Sequence, residues 1–187
     1  MAARLREHAT YEDLLRVPDT MVAELIEGEL FASPRPGMPH ADAATDLSAV
    51  LRIEFGPRGR GGWHIVFEPE LHLDRNVLVP DLAGWRVERL PVLPKTPAIS
   101  MPPDWICEVL SHSTARIDRA KKLPIYAHYG VGHAWLVDVE EQYLEVKRLS
   151  DGRWSDIAIF TGAEKVRAEP FEDIEIDLTF VWGPPPA

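Results

Sequence analysis

The sequence predicts a mixed α/β (α+β) protein with more strand than helix, on three observations. Apolar runs of strand length recur along most of the chain, one segment carries an apolar stripe at helical spacing, and WICEVL at 105–110 reads as a strand buried on both faces. Thr10 followed by Glu12 and Asp13 is an N-cap with an acidic first turn, opening a short helix that runs to about Val17. VAELIEGELFAS then reads as a hairpin turning at Glu27-Gly28, and residues 33–39 form a Pro/Gly loop. From His40 to Phe55, residues Ala44, Leu47, Val50, Leu51 and Ile53 give the helical stripe. GPRGRGG is a basic loop, with strands expected after it at 63–68, 70–73 and 77–85. A Pro-rich surface connection leads to the strand at 105–110. A helix is expected over 114–129, then strands at 133–139, 143–149 and 153–160 and near 172–178, with 183–187 as a tail.

With 187 residues, 45% of them hydrophobic and 27% charged, one domain over residues 1–187 is expected, its core spanning about 10–180. No apolar stretch approaches the ~20 residues of a membrane span, and MAARLREHATYEDLL lacks the apolar core of a secretory signal, so a cytoplasmic location without membrane association is expected. The lone cysteine, Cys107, lies inside the apolar strand and reads as a small core residue. Six tryptophans fall mostly in strand patterns and read as core or interface residues. A net charge of −10 argues against a non-specific nucleic-acid coat protein but leaves room for an enzyme with a local basic groove.

Two acids interrupt apolar strands. Alternation places Asp81 on a face with Val77, Val79 and Ala83, and Glu108 with Ile106 and Leu110. An unpaired carboxylate in such a strand costs several kcal/mol, so a proton or a cation must compensate it. If the two strands are neighbours, the carboxylates converge into a site suited to Mg²⁺ with waters and a backbone carbonyl. The plainer reading of Asp81, as a loop cap or a partner for arginine, stays open. Downstream, Asp118 and Lys122 are four apart and share a helix face, with Lys121 beside them. They read either as a solvated salt-bridged face or as a lysine directed at the carboxylates.

Pro80-Asp81, then Glu108 in EVLSHST, then Asp118, Lys122, Leu123 and Tyr126 in the pattern D-x-x-x-K-L-x-x-Y, together resemble the bacterial Uma-type family of restriction-endonuclease-like proteins, placed in the PD-(D/E)XK nuclease superfamily. AELIEGEL, His40 and GVGHAWLVDVEEQYLEVKRL also resemble that family, over roughly residues 10–180. The resemblance implies a restriction-endonuclease-like core: a central mixed sheet flanked by helices, preceded by an N-terminal helix and hairpin. It implies a Mg²⁺ or Mn²⁺ ion held by Asp81 and Glu108, with Glu24 completing the metal shell. Leu110 stands where the wider superfamily has its lysine, and the family resemblance carries that role to Lys122. His40 is an accessory candidate for orienting water or binding phosphate; Asp118, Lys121 and His112 are further accessory candidates. His112 replaces the usual proline of the motif, and Pro124 inside the expected helix puts the aim of Lys122 in question.

The function expected is therefore a metal-dependent endonuclease hydrolysing phosphodiester bonds in nucleic acid, DNA above all, with Arg58, Arg60, Arg116, Arg119 and Lys121 as backbone contacts. The alternative is a catalytically inactive nuclease fold acting as a binding or scaffold protein. A basic groove around the carboxylates favours the first and an acidic one the second. A third reading, hydrolysis of a small phosphate ester, calls for a closed pocket. A homodimer built on apolar surface of the late hairpin would suit cleavage of both strands of a duplex.

Overall fold

The computed structural model describes residues 2–183. Its first part contains strand β1 (Ala3–Arg6), helix α1 (Tyr11–Leu14), strands β2 (Met21–Ile26) and β3 (Glu29–Pro34), and the long helix α2 (Met38–Phe55). Strands β4 (Trp63–Phe67), β5 (Glu70–Leu73), β6 (Asn76–Leu78), β7 (Leu82–Arg86), β8 (Ala98–Ile99) and β9 (Trp105–Leu110) follow. Helix α3 (Ala115–Ile117), a π-helical turn (Asp118–Lys122) and helix α4 (Leu123–His128) form one irregular helical segment. Strands β10 (His133–Asp138), β11 (Tyr143–Ser150), β12 (Arg153–Thr161), β13 (Lys165–Val166) and β14 (Ile176–Asp177) lead to helix α5 (Leu178–Trp182).

Local chemistry accounts for the early elements. The Thr10 side chain accepts from the Asp13 amide while Asp13 reaches back to the Thr10 amide, a reciprocal capping box that starts α1. Glu27 and Gly28 both take left-handed backbone conformations, φ 53° and 80°, which is the twist a two-residue hairpin turn requires.

Two six-stranded sheets result. The first has the order β1-β3-β2-β6-β5-β8 and the second β12-β11-β10-β9-β7-β4. In the second, β9 and β10 run parallel and the other neighbours antiparallel. One face of this central sheet is covered by α2, α5 and the C-terminal segment: Leu47, Leu51 and Phe55 meet Trp105, Cys107, Val109, Trp135 and Phe171. The other face is covered by the first sheet and α4, with Ile106, Leu110, Ala134 and Leu136 against Leu71, Leu78, Leu123 and Tyr126. Every residue of β9 is buried, as its apolar run predicts. Cys107 is buried in this core, where loss of solvation pushes its thiol well up and out of reach of ordinary thiolate chemistry.

Three expectations are corrected. The single strand expected over 77–85 is two strands, β6 and β7, which belong to different sheets. Pro80 cannot donate to a ladder, and the chain crosses between sheets at Val79–Asp81. Asp81 therefore does not share a strand face with Val77. The helix expected over 114–129 is broken by the π-helical turn. The strand near 172–178 is limited to β14, after which Asp177 accepts from the Thr179 amide and caps α5. Of the tail expected at 183–187, residues 184–187 lie outside the described residues.

Gly84 in β7 is packed tightly by side chains: a Cβ there would lie 3.1 Å from Ile65 and Trp105 and 3.2 Å from Trp63. Gly84→Val is therefore expected to destabilise the fold by about 1–3 kcal/mol through overpacking, read as a lower urea midpoint at unchanged m-value.

Candidate active site

The site begins with the alternation of β9. Glu108 points with Ile106 and Leu110 toward α4 and the first sheet, while its neighbours Cys107 and Val109 pack on the α2 side. Strand β7 runs antiparallel beside β9, pairing Leu82 with Cys107 and Ala83 with Ile106. This register brings Asp81, the residue before β7, level with Glu108. Asp81 Oδ2 accepts the Val109 amide at 2.7 Å and lies 3.3 Å from His40 Nε2, so the acid is anchored from β9 and from the first turn of α2. The plainer reading of Asp81 as a partner for arginine is not what the structure holds.

Glu108 is 2% exposed and fully engaged at one oxygen. Its Oε1 accepts from the Tyr126 hydroxyl at 2.8 Å and lies 2.9 Å from Lys122 Nζ. The same ammonium lies 3.0 Å from Glu24 Oε1 and 3.3 Å from Asp118 Oδ1. Glu24 is held in turn by the Val79 amide, which donates to its Oε1 at 2.8 Å. Lys122 is thus a buried cation among three carboxylates, not part of a solvated helix face.

Pro124 does not mis-aim this lysine. It has no amide hydrogen to complete an α-helical bond, and its ring would crowd the preceding turn. The helix widens instead: the Leu123 amide donates to the Asp118 carbonyl, five residues back, closing the π-helical turn. Pro124 then sits in the first turn of α4, where a missing N–H is tolerated. Asp118 and Lys122 begin and end the widened turn, and both are buried in the cluster.

Burial and mutual charge set the protonation states. Loss of solvation pushes Glu108 well above the ordinary carboxylate range; Lys122 opposes the shift, and the charges of Asp118, Asp81 and Glu24 reinforce it. Burial also raises Asp118 to about 6, again against the pull of Lys122. For Lys122, burial works against the ammonium, but Glu108 and Glu24 outweigh it and hold the amine charged. Burial and the Glu108 charge push Tyr126 well up, so it remains a phenol and a donor. His40 is raised, burial being outweighed by the Asp81 carboxylate.

Four carboxylates, Glu24, Asp81, Glu108 and Asp118, thus face one lysine and one histidine. Asp81 commits Oδ2 and Glu108 commits Oε1 to protein partners, and each has a second oxygen to offer. Two carboxylates plus water are the donor set of Mg²⁺ or Mn²⁺, which retain several waters. Among the described residues no three His, Cys, Asp or Glu side chains are placed to hold a metal ion together, so the set does not fit an all-protein zinc cage. Glu24 lines the same cavity and commits Oε1 to Lys122 and the Val79 amide.

The other candidates divide. His40 and Asp118 belong to the cluster. Lys121 lies 2.8 Å from Glu29 and over the Phe31 ring, and His112 is exposed and lies 2.9 Å from Glu140. Arg119 is held by Glu145 and Tyr143. Arg58, Arg60 and Arg116 are exposed. The cavity over the carboxylates, about 130 Å³, is lined by Glu24, Arg35, His40, Glu68, Asp81, Glu108, Asp118 and Lys122, with Ser111, Ser113 and Thr114 at its edge. Its lining is predominantly acidic. Sequence reasoning missed Arg35 and Glu68 and gave Tyr126 no role. The four-residue spacing of Tyr126 from Lys122 was the signal that could have supplied one, whereas Arg35, in a Pro/Gly loop, offered none.

The folded state holds the Asp118 proton more tightly than an unfolded chain would, since its pKa rises from 3.8 to about 6. Its ionised form therefore costs stability above about pH 6, and that cost vanishes as pH falls toward about 4. Asp118→Asn is expected to be more stable than the unaltered protein at alkaline pH, with the difference disappearing in acid, as measured by thermal melts across pH in the presence of a chelator.

Comparisons with known proteins agree with this architecture. A crystal structure described as "a putative nuclease belonging to DUF820 from Anabaena variabilis ATCC 29413" superposes with a TM-score of 0.74, covering 93% of this chain and 97% of the other at 21% identity, and so shares its fold. No curated protein matches the chain. The family model Uma2, described as "putative restriction endonuclease", matches residues 9–179. The chain belongs to the Uma2 family.

Proposed function

We propose that the chain, as one domain, is a divalent-metal-dependent endonuclease that hydrolyses phosphodiester bonds in DNA. The observation that carries this reading is Glu108: a carboxylate on a fully buried central strand, level with Asp81 and in contact with Lys122. Asp81 and Glu108 would hold Mg²⁺ or Mn²⁺ through their uncommitted oxygens. When bound, such an ion polarises a phosphate oxygen and acidifies water.

The residues divide the remaining work. The Val109 amide and His40 fix Asp81, and the Tyr126 hydroxyl fixes Glu108, so both acids are oriented before substrate arrives. Lys122, kept charged by its neighbours, supplies a positive group for the negative charge that develops on phosphate oxygens in the transition state. Glu24 and Asp118 hold the lysine in position. The cavity is smaller than the ~300–1,000 Å³ pockets that enclose small ligands, which supports a strand lying across a cleft over an enclosed phosphate ester. Pairing of two copies would suit cleavage of both strands of a duplex.

One observation favours the second reading, a binding or scaffold protein: the acidic lining, which by itself repels a polyanion. The two readings part on catalysis. With Mg²⁺ or Mn²⁺ the protein is expected to nick or linearise plasmid DNA, and a chelator is expected to stop it. Asp81→Asn and Lys122→Met are each expected to lower the cleavage rate by about 10²–10³-fold. Cleavage that survives the chelator, or survives Asp81→Asn unchanged, would overturn the proposal; no cleavage of DNA or RNA by the unaltered protein would favour the scaffold.

A further inference from the structure

One ion pair at the rim of the cleft has no part in the scheme above. Arg35 Nη1 lies 2.9 Å from Glu68 Oε2, and Arg35 Nη2 donates to the Asp19 carbonyl at 3.4 Å. Both side chains line the same cavity as Asp81, Glu108 and Lys122. The pair joins the loop before α2 to the turn between β4 and β5. That loop reads Ser33-Pro34-Arg35-Pro36-Gly37, so prolines on both sides stiffen the backbone that presents the guanidinium.

Glu68 is fixed from the opposite side. Its backbone is left-handed, φ 42°, an uncommon conformation for a residue with a side chain. Its amide donates to the Asp81 carbonyl at 3.0 Å, so the turn that presents Glu68 is tied to the residue proposed to hold the metal. A turn in the lining of the cleft that holds a carboxylate against an arginine calls for an explanation beyond stability. The arginine is half exposed, and a pair of that kind contributes little to the fold.

The charges around the cleft supply that explanation. Lys122, the other permanently charged cation of the lining, is buried and shared among three carboxylates. Arg35 is partly open to solvent, and its planar fork matches a phosphate as well as it matches a carboxylate. We infer that Arg35 grips a phosphate of the nucleic-acid backbone at the mouth of the cleft, exchanging Glu68 for it, and that Glu68 competes for the guanidinium in the free protein. The inference rests on the nuclease reading and adds to it a positioning contact and a built-in competitor.

The two halves of the pair therefore act with opposite sign on binding. The test is fluorescence anisotropy of a labelled mixed-sequence DNA duplex, with Ca²⁺ replacing Mg²⁺ to hold the strand without hydrolysis. Arg35→Ala is expected to weaken binding on the order of tenfold and to reduce the salt slope by about one. Arg35→Lys is expected to fall between, because a point charge lacks the fork. Glu68→Gln is expected to tighten binding, and the gain is expected to vanish when it is combined with Arg35→Ala. A Mn²⁺ titration of each variant shows that the fold and the carboxylate pair persist. Unchanged binding in Arg35→Ala, or weaker binding in Glu68→Gln, would overturn the inference while DNA binding by the unaltered protein leaves the nuclease reading standing. No duplex binding by the unaltered protein would overturn both.

Discussion

Lys122 is a buried cation shared by three carboxylates. Its ammonium reaches Glu24 on β2, Glu108 on β9 and Asp118 one helical turn before it. One interaction set thus ties the first sheet, the central sheet and the broken helix to a single point. Removing the lysine would leave three buried carboxylates without their shared counter-charge, a loss of the kind that costs about 3–5 kcal/mol, so the cluster is a structural constraint as well as a candidate for chemistry. A fold seeking only stability would place an apolar side chain at the centre of β9, and the other five residues of that strand are apolar. The acid at that position is what requires a functional account.

Backbone irregularities complete the arrangement. The chain leaves the first sheet after β6, crosses at Val79–Asp81 and enters the central sheet at β7, and Asp81 stands at that crossing. The π-helical turn admits Pro124 and keeps both Asp118 and Lys122 inside the cluster. Glu68, in its left-handed turn, hydrogen-bonds back to Asp81. These three departures from regular geometry adjoin the acidic cleft, as expected where structure serves a site and not only a core. The acidity of the cleft is consistent with a cation as its resident partner and with Arg35 as the group that meets an anion at its rim.

Much of this was readable from residues whose signals are local. The apolar run of β9, the Glu27-Gly28 turn and the Thr10 N-cap of α1 depend on neighbours in sequence, and they appear as expected. Asp81 and Glu108 stood out because each breaks an apolar pattern, and the family motif then linked them to Lys122. What could not be read depends on contacts between distant segments. Val77 and Ala83 look like one strand until the crossing at Pro80 separates them into two sheets. That Glu24 shares Lys122 with Glu108 and Asp118 and accepts from the Val79 amide is visible only in the folded chain. Lys121, one residue from Lys122, reaches Glu29 because successive residues of a helical segment point in different directions. Arg35 and Glu68 come from a loop and a turn with no periodic signal, and only the folded chain brings them together.

The central claim is that Glu108 is kept ionisable in the core because it holds a divalent cation together with Asp81. Calorimetric titration with Mn²⁺, run in parallel on the unaltered protein and on Glu108→Ala, tests it without reference to any substrate. Binding by the unaltered protein that weakens at least tenfold in the variant, a loss of about 1.4 kcal/mol or more, is the result predicted. Equal binding by the two proteins would contradict the claim directly and remove Glu108 from the metal site.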